Sequence, residues 1–91
     1  MLHQSDLPSF LKFLENSVAV DLGGALSSDD ANLIRRVAKT TLAPHPKDIE
    51  ALTMEIAGLQ ADPLHQPRNF HSLEIIKATK RHCKELLEDA A

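Results

Sequence analysis

The sequence predicts an all-α protein, a small antiparallel four-helix bundle that forms a single domain over residues 1–91. Apolar residues recur three and four positions apart, as on one face of a helix, and no stretch alternates apolar and polar residues like a half-buried strand. Three breaks divide the chain into four such stretches: Gly23-Gly24, Pro44-His45-Pro46, and Pro63 with Pro67. The alternative is a three-helix core with a short, irregular first element.

The first helix is predicted to begin at Ser5 or Asp6, with Pro8 in the first turn, where a missing N–H is tolerated. It ends at Gly23-Gly24, because glycine readily leaves the helical conformation. Its inward seam steps by four, three and four residues and is widened by Phe10. The seam consists of Leu7, Leu11, Leu14 and Val18.

The second helix is predicted to follow Ser27-Ser28-Asp29-Asp30 and to stop at Pro44. Ser27 or Ser28 can cap it, and the two aspartates suit the positive end of the helix dipole. The inward face is Leu33, Ile34, Val37, Ala38 and Thr41. The outward stripe is Asn32, Arg36 and Lys39.

The third helix is predicted to start near Pro46 and to end before Asp62. Asp48 and Glu50 are expected in its first turn, where negative charge is favourable. Its apolar seam is narrow and steps by three, four and three residues. The seam consists of Ile49, Leu52, Ile56 and Leu59.

The fourth helix is predicted to run from about Asn69, which caps it, to Glu88, after an extended loop over 62–69. Its buried arc is Leu73, Ile75, Ile76, Thr79, Cys83, Leu86 and Leu87. The opposite arc is a basic stripe, Lys77, Lys80, Arg81 and Lys84. Two ion pairs with a spacing of four residues are expected there, Arg81–Glu85 and Lys84–Glu88.

Composition favours a cytoplasmic protein that does not enter a membrane. A single cysteine, Cys83, excludes an internal disulfide. No secretory leader pattern opens the chain, and no apolar run reaches about 18 residues. The net charge of −3, from 10 basic and 13 acidic side chains, argues against a general nucleic-acid binder.

No arrangement of residues indicates catalysis, a cofactor or a metal site. None of the five histidines has the four-residue spacing of a helical zinc pair. Cys83 is expected to face inward as inert packing. Neither a nucleophile elbow nor a phosphate-binding loop is present. We therefore predict a protein that is not an enzyme and carries no cofactor and no metal ion.

Nucleic-acid binding is the alternative function. The second and third helices have the outline of a helix-turn-helix, but the recognition helix over 46–60 sets Lys47 against Asp48, Glu50 and Glu55. A nucleic-acid-associated regulator would instead use the basic stripe, Lys77, Lys80, Arg81 and Lys84. A solvated charged face also explains that stripe.

Partner binding is the main functional prediction. A second stripe on the third helix, Ala51, Met54, Gly58 and Ala61, lies off the core seam, and Phe13 is displaced from the first helix's seam. Either these residues fill the far side of the core, or they are exposed and mark an interface. The predicted function is a protein-interaction module (adaptor, dedicated chaperone, inhibitor or regulatory subunit) that binds a partner protein or self-associates.

Overall fold

The computed structural model describes residues 7–62, 64 and 66–90, and the side chains within 9–62, 64 and 67–88. It contains four helices, α1 (Leu7–Leu22), α2 (Ser28–Leu42), α3 (Pro46–Ala61) and α4 (Gln66–Ala90), and no strand within this part of the chain. The all-α four-helix prediction is confirmed. The three-helix alternative is wrong, because α1 is a regular helix of 16 residues. The predicted start at Ser5 or Asp6 falls outside the described residues.

Helix α1 ends where the paired glycines predict. Gly23 has a φ of 72°, and its N–H donates to the carbonyl of Val20, while the N–H of Gly24 donates to that of Ala19, both at 3.2 Å. These two bonds form a Schellman motif, which needs a left-handed residue at the first position after the helix. On the predicted seam, Phe10, Leu14 and Val18 are buried and Leu11 is half-buried; the side chain of Leu7 is not described.

Helix α2 begins with a capping box. The hydroxyl of Ser27 accepts the N–H of Asp30 at 3.1 Å, and the carboxylate of Asp30 accepts the N–H of Ser27 at 3.3 Å. Ser27 is therefore the cap among the two predicted candidates. The predicted inward face is confirmed, with Thr41 half-buried and the other members buried: Leu33, Ile34, Val37 and Ala38.

Helix α3 starts at Pro46, as predicted, with His45 as its cap. The Nδ1 of His45 accepts the N–H of Lys47 at 3.2 Å. The predicted seam is only partly correct: Leu52 is buried, but Ile49 is 45% exposed. Ile56 and Leu59 are half-buried. The reason is that α3 packs mainly against α4 and only slightly against α2, so the arc that its neighbours cover is narrow.

Helix α4 begins at Gln66, so the loop predicted over 62–69 extends four residues too far. Pro67 lies in the first turn, where its missing N–H breaks no helical hydrogen bond. Asn69 is not a cap: it is buried, and its Nδ2 donates to the carbonyl of Leu59 at 3.2 Å. That carbonyl lies in the last turn of α3 and has no partner within its own helix. The amide of Asn69 thus joins the end of α3 to the start of α4.

The four helices are arranged around a central pair. Helices α2 and α4 contact each other and both flanking helices, whereas no contact joins α1 to α3 within the described residues. The two flanking helices therefore lie on opposite sides of the α2–α4 pair. The buried apolar core is Phe10, Leu14, Val18, Leu33, Ile34, Val37, Ala38, Leu52, Ile75, Ile76, Ala78 and Cys83. Thr79 is also buried, whereas Leu87, predicted inward, is 47% exposed because its neighbour Leu86 packs against the core instead.

Contacts between side chains establish the directions of three helices. Arg36 in the middle of α2 bonds to Glu55 in the second half of α3, and Asn69 joins the start of α4 to the end of α3. His71, near the start of α4, lies beside Asp30 in the first turn of α2. Helices α2, α3 and α4 therefore alternate in direction. None of the described helices is both long and apolar enough to cross a membrane.

The positive φ of Gly23 makes a prediction about stability. Gly23→Ala forces an L-residue into the left-handed region, and we expect it to lower the free energy of unfolding by about 1–2 kcal/mol. Gly58→Ala is the matched control. It lies inside α3 with open space around its Cβ position, so it should raise the free energy by up to about 1 kcal/mol. Urea unfolding followed by circular dichroism measures both, and equal effects of the two changes would contradict the assignment.

Candidate functional site

The residues predicted to bind a partner are all exposed. Phe13 and Met54 are 56% and 68% exposed, and Ala51 and Gly58 are exposed as well. The alternative, that these residues fill the far side of the core, is therefore wrong. They do not form one surface, because Phe13 lies on α1 and the others on α3, and these helices do not touch.

The outer side of α3 is uncharged from Ala51 onward, whereas Lys47 and Glu50 are exposed on the same side one turn earlier. Ala57 and Ala61 are also exposed there, and Ala57 was not among the predicted residues. Between Ala51 and Ala61 the only charged residue is Glu55. We define the α3 outer face as Ala51, Met54, Ala57, Gly58 and Ala61.

A bidentate ion pair with Arg36 directs the side chain of Glu55 away from that face. Its two carboxylate oxygens accept from Nη1 and Nη2 of Arg36 on α2, at 2.8 and 3.1 Å. A bidentate arginine–carboxylate pair of this kind has a defined geometry, although in an exposed position it adds little to stability. The pair neutralises the one charge in this part of α3 and leaves the α3 outer face without any.

Gly58 has no role in the packing of this chain. It lies inside a helix, where glycine is about 1 kcal/mol less favourable than alanine. A Cβ built at this position would meet no atom within 4 Å. Neither its backbone angle nor a close approach of a neighbouring helix requires a glycine here. Its one structural consequence is a gap in the side chains of the α3 outer face.

The predicted basic stripe is exposed along α4, but one member is already paired. Arg81 donates to the carboxylate of Asp21 at the end of α1, not to Glu85 as predicted. The second predicted pair, Lys84–Glu88, does not form either. Lys77, Lys80 and Lys84 form no ion pair with any described residue. The stripe thus presents three free cations.

Two histidines of α4 bond to carboxylates of other helices, which local sequence patterns could not reveal. The Nε2 of His71 donates to Asp30 on α2 at 3.0 Å, and that of His82 donates to Asp21 on α1 at 2.7 Å. These pairs join α4 to the two helices that precede α3. Within the described residues, no group of three or more His, Cys, Asp or Glu is placed to hold a metal ion.

The surroundings of Asp30 shift its titration. Partial burial raises its pKa, but the hydrogen bonds from His71 and Ser27, together with the positive charge of His71, outweigh that effect. The pKa of Asp30 therefore lies below its ordinary value of 3.8. The ionised form is the one that the fold stabilises.

Cys83 is buried, and its thiol is in an unreactive environment. No part of it is exposed to solvent, and burial raises the pKa of its thiol to about 11. The thiolate, which is the nucleophilic form, is therefore scarce at neutral pH. The inward position predicted for Cys83 is confirmed, and its sulfur serves as packing between α4 and its neighbours.

The depressed pKa of Asp30 predicts how stability depends on pH. The stabilisation from the ionised carboxylate is fully present above pH 3.8 and is lost as the pH falls through the lower, folded-state pKa. We expect Asp30→Asn to be less stable than the wild type by about 1 kcal/mol near pH 6. This difference should shrink as the pH approaches about 2–3.

Asp29→Asn is the control for that measurement, because Asp29 lies in the same helical turn but forms no hydrogen bond to another described residue. Its stability curve should run nearly parallel to that of the wild type. Urea unfolding at several pH values provides the curves. A constant difference between wild type and Asp30→Asn at all pH values would show that the ionised carboxylate is not the stabilising species.

Comparison with known proteins adds no family to these observations. No protein-family description, curated protein sequence or solved structure matches the chain. The positions and surroundings of the described side chains are therefore the basis for any functional conclusion.

Proposed function

We propose that this protein is a non-enzymatic interaction module of the cytoplasm, which binds a partner protein, or a second copy of itself, through the α3 outer face. The observation that carries the proposal is that this helical face is exposed, free of charge, and contains a mid-helix glycine that the chain's own packing does not need. Adaptors, dedicated chaperones, inhibitors and regulatory subunits all act by stoichiometric binding of this kind.

The composition of the α3 outer face suits contact with another helix. Small residues such as Ala51, Ala57 and Gly58 let a second backbone come close, which increases the number of van der Waals contacts. Met54, the one large side chain of the face, is flexible and polarizable and adapts to the shape of its partner. Burial of these side chains would remove apolar surface from water.

The chemistry of the remaining candidate groups supports binding over catalysis. The thiol of Cys83 is buried and protonated, and His71 and His82 each donate to a carboxylate of another helix. None of these groups is both exposed and free to act on a substrate. The proposed mechanism is therefore binding alone, in which no covalent bond is made or broken.

Nucleic-acid association through the basic stripe is the second candidate, favoured by the free cations Lys77, Lys80 and Lys84. Glu74 and Glu88 flank these lysines and oppose phosphate binding. The two candidates differ in salt dependence. A complex formed by lysines and phosphates weakens steeply as salt rises to physiological concentration, whereas an apolar helix contact changes little.

A pull-down of the tagged protein from its native lysate, with and without nuclease, tests the proposal. We expect a stoichiometric partner that survives nuclease. Met54→Asp should weaken its capture at least about tenfold, because burying an unpaired carboxylate costs more than 1.4 kcal/mol. Phe13→Asp is the matched control, since it places the same charge on an exposed apolar position of α1 and should leave capture unchanged.

Two results would contradict the proposal. In the first, Met54→Asp retains full binding while Lys80→Glu with Lys84→Glu abolishes it. In the second, every captured species disappears with nuclease. Either result would transfer the function to the basic stripe of α4.

A further inference from the structure

The exposed side of α4 carries a regular seam that extends beyond the basic stripe. The residues step by three, four, three, four and three positions, which is the spacing of a coiled-coil seam. Phe70 at one end is 64% exposed, and Leu87 at the other is the outward leucine noted above. We define the α4 seam as Phe70, Leu73, Lys77, Lys80, Lys84 and Leu87.

Three residues of the seam, Leu73, Lys77 and Lys80, line an open trough between the flanking helices, which consists of two hollows. On one side a hollow of about 270 Å³ separates the seam from Ile56 and Gln60 of α3. On the other side a hollow of about 440 Å³ separates it from Asp21 and Leu22 of α1. Glu74 and Lys77 line both hollows. The trough exists because α1 and α3 do not meet over this side of α4.

We propose that the α4 seam binds an amphipathic helix of a partner protein, one with carboxylates at its centre and apolar side chains at both ends. The charge of the seam favours an acidic partner. Three lysines without ion-pair partners among the described residues stand in the middle of the seam, whereas the protein as a whole has a net charge of −3. Apolar side chains mark the two ends of the seam. The proposal shares with the proposed function only the premise that the protein binds other proteins, and it concerns a different surface.

The dimensions of the seam define the length of the helix that it accepts. From position 70 to position 87 the axis of α4 advances by about 25 Å, or about five turns. A partner helix of about 18–20 residues covers this length. Carboxylates at every third or fourth position of its middle turns would face Lys77, Lys80 and Lys84 across the usual separation of 8–10 Å between packed helices.

The pattern of charged and apolar residues on the seam disfavours two other occupants, a second copy of this chain and nucleic acid. A second copy of α4 laid antiparallel on the seam would place Lys77 against Lys80, a like-charge contact that disfavours the complex. Nucleic acid would leave the exposed apolar side chains of Phe70 and Leu87 without a role. An acidic amphipathic helix uses both the charged centre and the apolar ends.

Fluorescence anisotropy with a designed peptide tests the inference. The probe is a labelled helical peptide of about 20 residues with glutamates at three central seam positions and leucines at both ends. A scrambled peptide of identical composition and a duplex DNA of similar length serve as comparisons. We expect the designed peptide to bind, and Lys77→Glu with Lys80→Glu and Lys84→Glu to weaken its binding at least about tenfold.

The matched control for the triple variant is Lys12→Glu with Lys39→Glu and Lys47→Glu. These lysines are also exposed and form no ion pair with described residues, so the net charge changes equally but away from the seam. The control should bind the designed peptide nearly as well as the wild type. Phe70→Asp with Leu87→Asp should weaken binding of the designed peptide. The circular dichroism spectrum of the protein should stay unchanged, because both side chains are exposed.

Several outcomes would overturn the inference: no peptide binding, equal binding of the scrambled peptide, tighter binding of the DNA, or self-association that the seam variants abolish. Met54→Asp separates this inference from the proposed function. It should leave peptide binding intact even where it eliminates capture of the native partner, so that either proposal can fail without the other.

Discussion

The packing of α4 against each of the other helices is the constraint on which the structure depends. In a chain of 91 residues the core is small. Because α1 and α3 do not meet within the described residues, they are connected only through their contacts with α2 and α4. Ile75 and Thr79 of α4 and Ile34 and Val37 of α2 are fully buried. The polar contacts reinforce this pattern, since Asn69, His71 and His82 each connect α4 to a different helix.

The two proposed binding surfaces follow from that arrangement. A central pair flanked by two helices that do not touch leaves α3 covered on a narrow arc, so most of its circumference faces solvent. The same geometry leaves one side of α4 open as the floor of a trough. One surface is uncharged and the other is basic at its centre. They therefore suit partners of different chemistry, and occupying one need not block the other.

Local sequence patterns predicted the helices and several of their ends, because caps and breakers act within a few residues. Gly23 and Ser27 are examples. The width of each buried arc depends on which neighbours reach a helix, so the spacing of apolar residues alone could not predict it. For this reason the sequence wrongly predicts that Ile49 and Leu87 face inward. The pairing of Arg81 with Asp21 spans 60 positions in the chain and has no local signature. For the candidate site, the sequence identified Met54 and Gly58, but only the structure showed that Phe13 lies on a separate surface.

Native-state hydrogen exchange measures the central claim most directly. If α2 and α4 form the common core, amides around Ile34, Val37, Ile75 and Thr79 exchange only through global unfolding. Amides in α3 near Met54 and Gly58 should then exchange through local opening, at a lower free energy than global unfolding. Equal protection of α3 and α4 would contradict the account, because it would place α3 within the core and not at its edge.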